Sequence, residues 1–317
     1  MKSAAKRAGL CIVTMLIVSF LAYAAFALIS GDPAQTLLGT DATPERLEQM
    51  RHQLGLDQPF MVRYLKWLLG FFTGDLGISY SYRQTVWSLI APKIEVTLCM
   101  ALISFVVIVA ISIPAGILAA QRSNGKSGLL STGLIQLGMA VPPFFTGILV
   151  SWGCGIVMKW FTPGDFPGLH SAKAATALRH LFFAAVCIAI PRIAMTVRML
   201  RSTVIREMNR SYVRTAISRG NDRRGVFLRH VLKNSLVPTV TFLAQTMAEI
   251  VGGSIVVEQV FGIPGIGRLL VASISNRDYP VVQALVVIMA FWVVLAGTAA
   301  DLINQRIDPR LRLGGGE

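Results

Sequence analysis

Residue types that could bind a metal or act as a nucleophile are scattered singly along this sequence. The four cysteines have no CxxC spacing, and none of the four histidines belongs to an HExxH pair. The stretch "GGSI" at 252–255 lacks the glycine after serine that an intramembrane GxSG nucleophile site needs, and no Walker A glycine loop is present. These patterns predict a chain that is not an enzyme and that holds no metal or cofactor of its own.

Charged residues are the remaining candidates for chemistry, and one stretch concentrates them. Residues 198–233 carry ten Arg and Lys against Glu207 and Asp222, in a chain of net charge +14 whose residues are 54% hydrophobic. A nucleic-acid site, an anionic membrane surface or a docking loop for another protein could each use such a stretch. Elsewhere, Glu249 lies near the middle of an apolar run, where ionisable groups are costly and usually face a bundle interior. We expect Glu249 to line a translocation path or to pair internally with Arg192.

The elements that position these residues are membrane spans. A mean hydropathy of +0.61 with 15% charged residues is too apolar for a soluble chain of 317 residues. Six apolar runs are long enough to cross a hydrocarbon core, near residues 10–30, 96–120, 130–158, 178–200, 237–260 and 281–303. The first run is longer than the apolar region of a signal peptide, so a retained span is predicted, with a cleaved signal peptide as the alternative. Pro142 and Pro143 must kink or break the third span, and they line the path or serve structure alone.

Loop charges predict the orientation of the spans. Lys and Arg are enriched in the N-terminal tail, in "QRSNGKSG" at 121–128, in the basic stretch and in the C-terminal tail. Because these residues prefer the cytoplasmic side, both termini and the basic stretch are predicted to be cytoplasmic. This bias alone would enrich the stretch in Arg and Lys.

The basic stretch is nevertheless better organised than topology requires. One helical face is formed by Met208, Tyr212, Thr215 and Ala216; Gly220 interrupts that helix; and a second helix follows, with Phe227, Leu228, Val231 and Leu232 on one face. A DNA-reading helix-turn-helix is disfavoured, because the pair is tethered to a span at each end and has no soluble core of its own. The pattern favours a helical pair that passes motion between the membrane and a cytoplasmic partner.

Residues 31–95 predict two amphipathic helices before the second span. Thr43 and Pro44 begin the first helix and Gly55 ends it, whereas "PFMVRYLKWLLGFF" places Phe60, Tyr64, Trp67, Leu68 and Phe71 on one face of the second. We expect an external cap. It meets a binding protein or guards an outer gate, or else it packs over the span ends or lies in the membrane interface.

Several segments, in order, resemble the membrane-spanning permeases of ABC importers, in the dipeptide, oligopeptide and nickel branch. They are "LGLDQPF" at 54–60, "GDLGISY" at 74–80, "YVRTAISRGNDRRGVFLRHVLKNSLVP" at 212–238, "VVEQVFGIPGIGRLL" at 256–270, "NRDYPVVQ" at 276–283 and "DPRLR" at 308–312. The third resembles the branch's EAA loop, with Ala216 and Gly220 at its alanine and glycine positions. Arg214 and Thr215 stand where the wider superfamily has Glu and Ala.

The resemblance implies an all-α membrane protein with a type I ABC importer permease fold of six transmembrane helices. Its implied domains are an N-terminal tail and first helix at 1–30, an external helical cap at 31–95, a five-helix permease core at 96–303 with a cytoplasmic coupling loop at 205–236, and a cytoplasmic tail at 304–317. The implied location is the bacterial cytoplasmic (inner) membrane.

The resemblance also implies partners. A second, homologous permease would enclose the path, two ABC ATPase subunits that bind ATP and Mg would dock beneath, and an extracytoplasmic binding protein would deliver substrate. The lipid bilayer surrounds the chain, and no nucleic acid is expected. The contact zone with the ATPase would comprise Arg214, Thr215, Ala216, Arg219, Gly220 and Asn221, whereas Glu249, Pro142 and Pro143 are candidates for the translocation path.

Substrate identity stays open at this stage. Di- or oligopeptides are the leading prediction, and nickel or a metal chelate is the alternative within the same branch. An ATP-independent secondary transporter would need intramembrane charge pairs and inverted repeats, of which only Glu249 and Arg192 are visible. A membrane scaffold that uses the basic stretch to bind lipid or protein is the third class.

Overall fold

A computed structural model describes residues 2–28, 33–38, 42–53 and 55–307 of the chain. Within these ranges the structure is helical, and the only extended pairing is an isolated antiparallel bridge between Ile78 and Thr85. The helices are α1 (Lys2–Leu28), α2 (Pro33–Leu38), α3 (Pro44–Gln53), α4 (Phe60–Thr73), α5 (Val86–Gln121), α6 (Gly125–Ala140), α7 (Pro143–Val150), α8 (Ala174–Met208), α9 (Ser211–Ser218), α10 (Arg223–Val226), α11 (Leu232–Phe261), α12 (Ile266–Ser275) and α13 (Tyr279–Ile307). The motif "DPRLR" at 308–312 lies outside the described residues.

Four of the described helical segments are long and apolar enough to cross a membrane: Val86–Gln121, Ala174–Met208, Arg223–Phe261 and Tyr279–Ala300. A fifth is formed if α6 and the helix that begins at Pro143 are one span, and these two segments are bent by 90° at the break between them. The predicted break at Pro142 and Pro143 is therefore confirmed. In α1 the apolar segment Cys11–Ala25 is shorter than these spans. Five of the predicted spans thus coincide with long apolar helices or with the bent pair.

The chain folds as two compact units. The first takes residues up to Val96 and Pro264–Trp292, and the second takes Thr97–Ile263 and the part of α13 that begins at Val293. In the second unit α8 packs mainly against α11 and α6. Glycines permit close approach there, because a Cβ at Gly116 would lie 2.8 Å from a methyl carbon of Leu200. A side chain at Gly116 would therefore require Leu200 or the helices themselves to shift.

In the first unit the two helices predicted before the second span are present as α3 and α4, and the short α2, which was not predicted, precedes them. The backbone amide of Arg46 donates to Thr43 Oγ1 at 3.4 Å as α3 begins, and Gly55 has a φ of +65° just after α3 ends. The predicted face of α4 packs on α1 through aromatic rings, with Tyr64 5.3 Å from Phe20 between ring centroids. Local signals in the sequence were sufficient to locate both helices.

A tight turn before α5 is bound to the start of α13, also within the first unit. The buried carboxylate of Asp278 accepts hydrogen bonds from the hydroxyl of Ser79 and from the backbone amides of Tyr80 (3.0 Å) and Ser81 (3.2 Å). Burial raises the pKa of Tyr80 to about 12, and the neighbouring Tyr23 and Asp278 act in the same direction. The motifs "GDLGISY" and "NRDYPVVQ" are thus two halves of one structural joint.

Candidate functional site

The basic stretch divides between a span and a loop. Arg201 lies in α8, where its Nη1 donates to Thr132 Oγ1 of α6 at 2.9 Å, so this charge serves helix packing. The helix expected through Met208 and Tyr212 is interrupted, because α8 ends at Met208 and α9 begins at Ser211. Arg210 between them is extended, with φ −69° and ψ 149°. The single-helix prediction for this part is wrong, because one extended residue redirects the chain.

A hydrogen-bonded network fixes that redirection. Tyr212 Oη donates to Glu207 Oε2 at 2.9 Å and accepts from Asn234 Nδ2 at 3.3 Å, while Arg210 Nε lies 3.6 Å from Glu207 Oε1. The Asn209 side chain donates to the Ile205 carbonyl at 3.1 Å, which satisfies an end carbonyl of α8. Burial raises the pKa of Tyr212, and the hydrogen bond to Glu207 acts in the same direction. These contacts join the start of α9 to the end of α8 and to the start of α11.

The predicted glycine turn is present and has the geometry of a Schellman motif. The Gly220 amide donates to the Ile217 carbonyl at 2.9 Å, and the Asn221 amide donates to the Ala216 carbonyl at 3.3 Å. Asn221 Nδ2 donates to the same Ala216 carbonyl at 3.0 Å. Gly220 has a φ of +82°, a left-handed conformation that L side chains rarely adopt. Asp222 then caps α10 by accepting from the Gly225 amide at 3.3 Å.

The turn is exposed above a buried base. Arg214, Thr215, Arg219, Gly220 and Asn221 are exposed, and Ala216 is half-buried. On the opposite side of α9, Val213 joins a cluster of buried residues from α5, α8 and the segment after Asp222, whose other members are Ala120, Leu200, Val204, Val226 and Val231. The six residues proposed as a contact zone therefore lie on one short segment held by apolar packing.

The second half of the predicted pair is not a separate helix. After α10 the chain passes through a π-helical turn, Phe227–Val231, directly into α11. A π-helical turn contains more residues than an α-helical turn, so it shifts which side chains share a face. Val231 is fully buried, whereas Leu228 is exposed. The expectation that Leu228 packs on the same face as Val231 is therefore wrong.

Glu249 is paired with Arg192, one of the two roles expected for it. Arg192 Nη1 of α8 donates to Glu249 Oε2 of α11. The Glu249 side chain is still 54% exposed, against 24% for Arg192. It belongs to a row of exposed positions at helical spacing along α11, formed by Gln245, Glu249, Gly252, Val256 and Gln259. Glu249 thus pairs with Arg192 and still exposes part of its side chain on the surface of α11.

A second acidic residue of α11 is fully buried. Glu258 accepts from Thr97 Oγ1 at 2.7 Å and from Ser254 Oγ at 3.2 Å. Hydrogen bonding to hydroxyls reduces the cost of burying a carboxylate. Among the described residues, no group of three or more His, Cys, Asp or Glu could hold a metal ion. The two acidic residues of α11 thus differ: Glu258 is buried and hydrogen-bonded, whereas Glu249 lies on the exposed row of that helix.

Comparison with known proteins gives two family matches in chain order. Residues 1–101 match the N-terminal family of binding-protein-dependent transport system membrane components, and residues 112–313 match the family described as "Binding-protein-dependent transport system inner membrane component". A Brucella abortus protein provisionally named as a peptide transport system permease is 36% identical over 310 residues, which cover 97% of this chain and 98% of that protein.

Two further relatives are similar over comparable lengths. The oligopeptide transport system permease AppB of Bacillus subtilis is 32% identical over 308 residues, covering 96% of this chain and 98% of its own. The dipeptide transport system permease DppB of Escherichia coli is 31% identical, covering 97% of each chain.

Proposed function

Because this chain belongs to the family of binding-protein-dependent transport system inner membrane components, we propose that it is the transmembrane permease of an ATP-driven ABC importer of di- or oligopeptides. A soluble binding protein delivers the peptide. The observation that carries the proposal is the likeness to peptide permeases over 96–98% of both chains. Their names favour peptides over nickel or a metal chelate.

The proposed fold is the type I permease fold with six spans and both termini in the cytoplasm. Its support is the set of long apolar helices, the bent pair and the apolar part of α1. We retain the domain boundaries given above, including the coupling loop at 205–236. The location is the bacterial inner membrane, with the chain crossing it several times.

The energy source in this proposal is a pair of ABC ATPase subunits that bind ATP and Mg. They dock on the exposed turn formed by Arg214, Thr215, Ala216, Arg219, Gly220 and Asn221. Two features support this assignment: the turn has a defined backbone, and its base is packed against the ends of α5, α8 and α11. ATP-driven movement of the ATPases would therefore displace the spans and would not only deform the loop.

The proposed translocation path includes the exposed row of α11 and the break at Pro142 and Pro143. Glu249 supplies a charge on that row, and Arg192 offsets its cost in the membrane. The broken helix exposes backbone groups that membrane proteins tolerate where protein or water can satisfy them. A second, homologous permease completes the path.

Reconstitution tests this proposal. The chain is assembled in liposomes with its second permease, ATPases and binding protein, and uptake of a labelled dipeptide, a pentapeptide and a nickel chelate is compared. Uptake of peptide that requires ATP is expected. Uptake driven by a proton gradient without ATPases would favour a secondary transporter, uptake of the chelate alone would reassign the substrate, and a chain that binds no ATPase would favour a scaffold.

A further inference from the structure

Helix α4 is apolar on two sides, although the sequence predicts one apolar face. On the predicted face, Phe60, Tyr64 and Trp67 contact aromatic rings of α1, and Leu68 lines a groove shared with α1. A second set of large apolar side chains is exposed on α4, namely Met61, Val62, Leu65, Leu69 and Phe72, with Leu69 and Phe72 at 67% and 75% exposure. Helix α3, by contrast, is strongly polar. A helix with so much uncovered apolar surface is unsuited to water.

Contacts between α4 and α1 indicate how deep α4 lies in the membrane. The Tyr64 hydroxyl lies 2.9 Å from Ser19 Oγ and donates to the Leu16 carbonyl at 3.4 Å. The Tyr23 ring meets Tyr64 edge-on and is tilted against Trp67. Arg7 is the last charged residue before the apolar run of α1. At about 1.5 Å per residue, Ser19 is about 18 Å and Tyr23 about 24 Å beyond Arg7 along the helix.

These distances put the crossing of the two helices inside the hydrocarbon layer. With Arg7 at one boundary and a core about 30 Å thick, Tyr23 lies about 6 Å below the opposite boundary. Helices that lie in a membrane interface are buried by about 5–10 Å, and Tyr and Trp are enriched at that level. The three rings of Tyr23, Tyr64 and Trp67, which contact one another, match this position.

The exposed apolar surface of α4 is continuous with that of α1. A groove of about 540 Å³ lies between the two helices. It is lined by Leu16, Ile17, Phe20 and Leu21 of α1 and by Tyr64, Leu65 and Leu68 of α4. Its lining is almost wholly apolar. The two charges of α4, Arg63 and Lys66, are both basic and are three residues apart on another side of the helix. Basic side chains on one side and apolar ones on the other are typical of helices that lie among phospholipids.

We propose that α4 is a membrane-embedded interfacial helix, and that phospholipid acyl chains of the leaflet opposite the N-terminus cover its exposed face and fill the α1–α4 groove. The inference rests on the proposed function only in taking α1 as a membrane span. Of the roles expected for the external cap it assigns the membrane-interface role to α4 alone, whereas α3 is exposed to water. Arg63 and Lys66 then lie at the level of the lipid phosphates.

Spin labels at single cysteines distinguish lipid from water and from protein. In the assembled importer, with the native cysteines replaced, labels are attached at Leu69→Cys and Phe72→Cys on α4 and at Glu48→Cys on α3. Oxygen concentrates in lipid, whereas a water-soluble chromium complex does not enter it. Labels at 69 and 72 are expected to relax with oxygen and to be protected from chromium by at least threefold relative to the label at 48.

The other outcomes overturn the inference. Access of chromium to 69 and 72 equal to that at 48 would mean that α4 faces water, and protection from both reagents would mean that a protein, such as the second permease, covers it. Should the cysteine variants fail to assemble, the unmodified importer is irradiated in liposomes that contain a phospholipid with a diazirine within its acyl chain. Adducts are then expected on residues 61–72 and not on 44–53, and adducts absent from 61–72 would refute the proposal. Neither readout needs ATP or peptide, so a failure of transport leaves the result unchanged.

Discussion

Gly220 offers the most direct test of the coupling turn. Its φ of +82° disfavours any side chain, yet a Cβ built there would meet no heavy atom within 4 Å. The strain from the backbone conformation and the size of an outward-facing side chain at this position can therefore be varied separately. A left-handed conformation costs an L-residue about 1–2 kcal/mol. This cost lowers the population of the turn, relative to other conformations of the loop, by roughly 5- to 30-fold. Asparagine tolerates this conformation better than most residues, so Gly220→Asn should lose less than Gly220→Ala.

Three substitutions then separate the two effects. Gly220→Ala should lower the affinity for the ATPase by no more than the strain allows, and Gly220→Tyr should go well beyond it, because its ring projects toward the docking partner. Co-purification of the ATPase and peptide-stimulated ATP hydrolysis measure both losses. The control is Arg122→Gln, which removes an exposed charge just beyond α5 without altering the turn. Normal coupling by Gly220→Tyr, or equal damage from Arg122→Gln, would refute docking at this turn, and equal losses for Ala and Tyr would show that strain alone matters.

Three further predictions follow from other regions. Glu249→Gln should change the rate of peptide uptake while ATPase binding stays normal; if the ion pair serves folding alone, expression should fall and recover when Arg192 is neutralised as well, and unchanged uptake with unchanged expression would exclude both roles. Asp278→Asn should lower the thermal midpoint of the solubilised chain, because the amide places a donor where three donors now converge on a carboxylate; an unchanged midpoint would show that the joint adds little stability. Labelling of single cysteines in intact cells should find position 221 on the cytoplasmic side and position 50 outside, and labelling of both from one side would refute the six-span topology.

Local signals in the sequence located several turns and helix ends of this chain, but not all of them. Gly220, Asn221 and Asp222 form a turn and a cap from neighbouring atoms, so their residue types suffice to predict them. The same holds for Thr43 at the start of α3. The break at Arg210 was missed because it depends on Glu207 and Asn234, and the second of these lies 24 residues away.

Contacts distant in sequence could not be predicted from pattern. Ser79 and Asp278 are 199 residues apart, and nothing local marks either one as the partner of the other. Helix α12 was not predicted, because its ten residues follow glycines and a proline. The Arg192–Glu249 pair was foreseen as one alternative, since few other charges are available near mid-span.

The second apolar side of α4 was overlooked for a different reason. Periodicity identifies a face with regular spacing, and the face with Tyr64 and Trp67 satisfies that test. Leu65, Leu69 and Phe72 have helical spacing too, but a second apolar face is informative only once the first is known to be covered. Packing against α1 supplies that knowledge.

The buried cluster beneath α9 has a mechanical consequence. Since Val213 is packed with residues of α5, α8 and the start of α11, a push on the turn cannot bend the loop without first opening that cluster. Helix α8 has 35 residues and is therefore about 52 Å long. Pro191 lies at its centre and donates no backbone hydrogen bond, so the helix consists of two halves that meet at a point able to bend. A displacement at Met208 would thus be carried along the half of α8 that ends at Pro191, and the bend at Pro191 would set how much of it reaches Ala174.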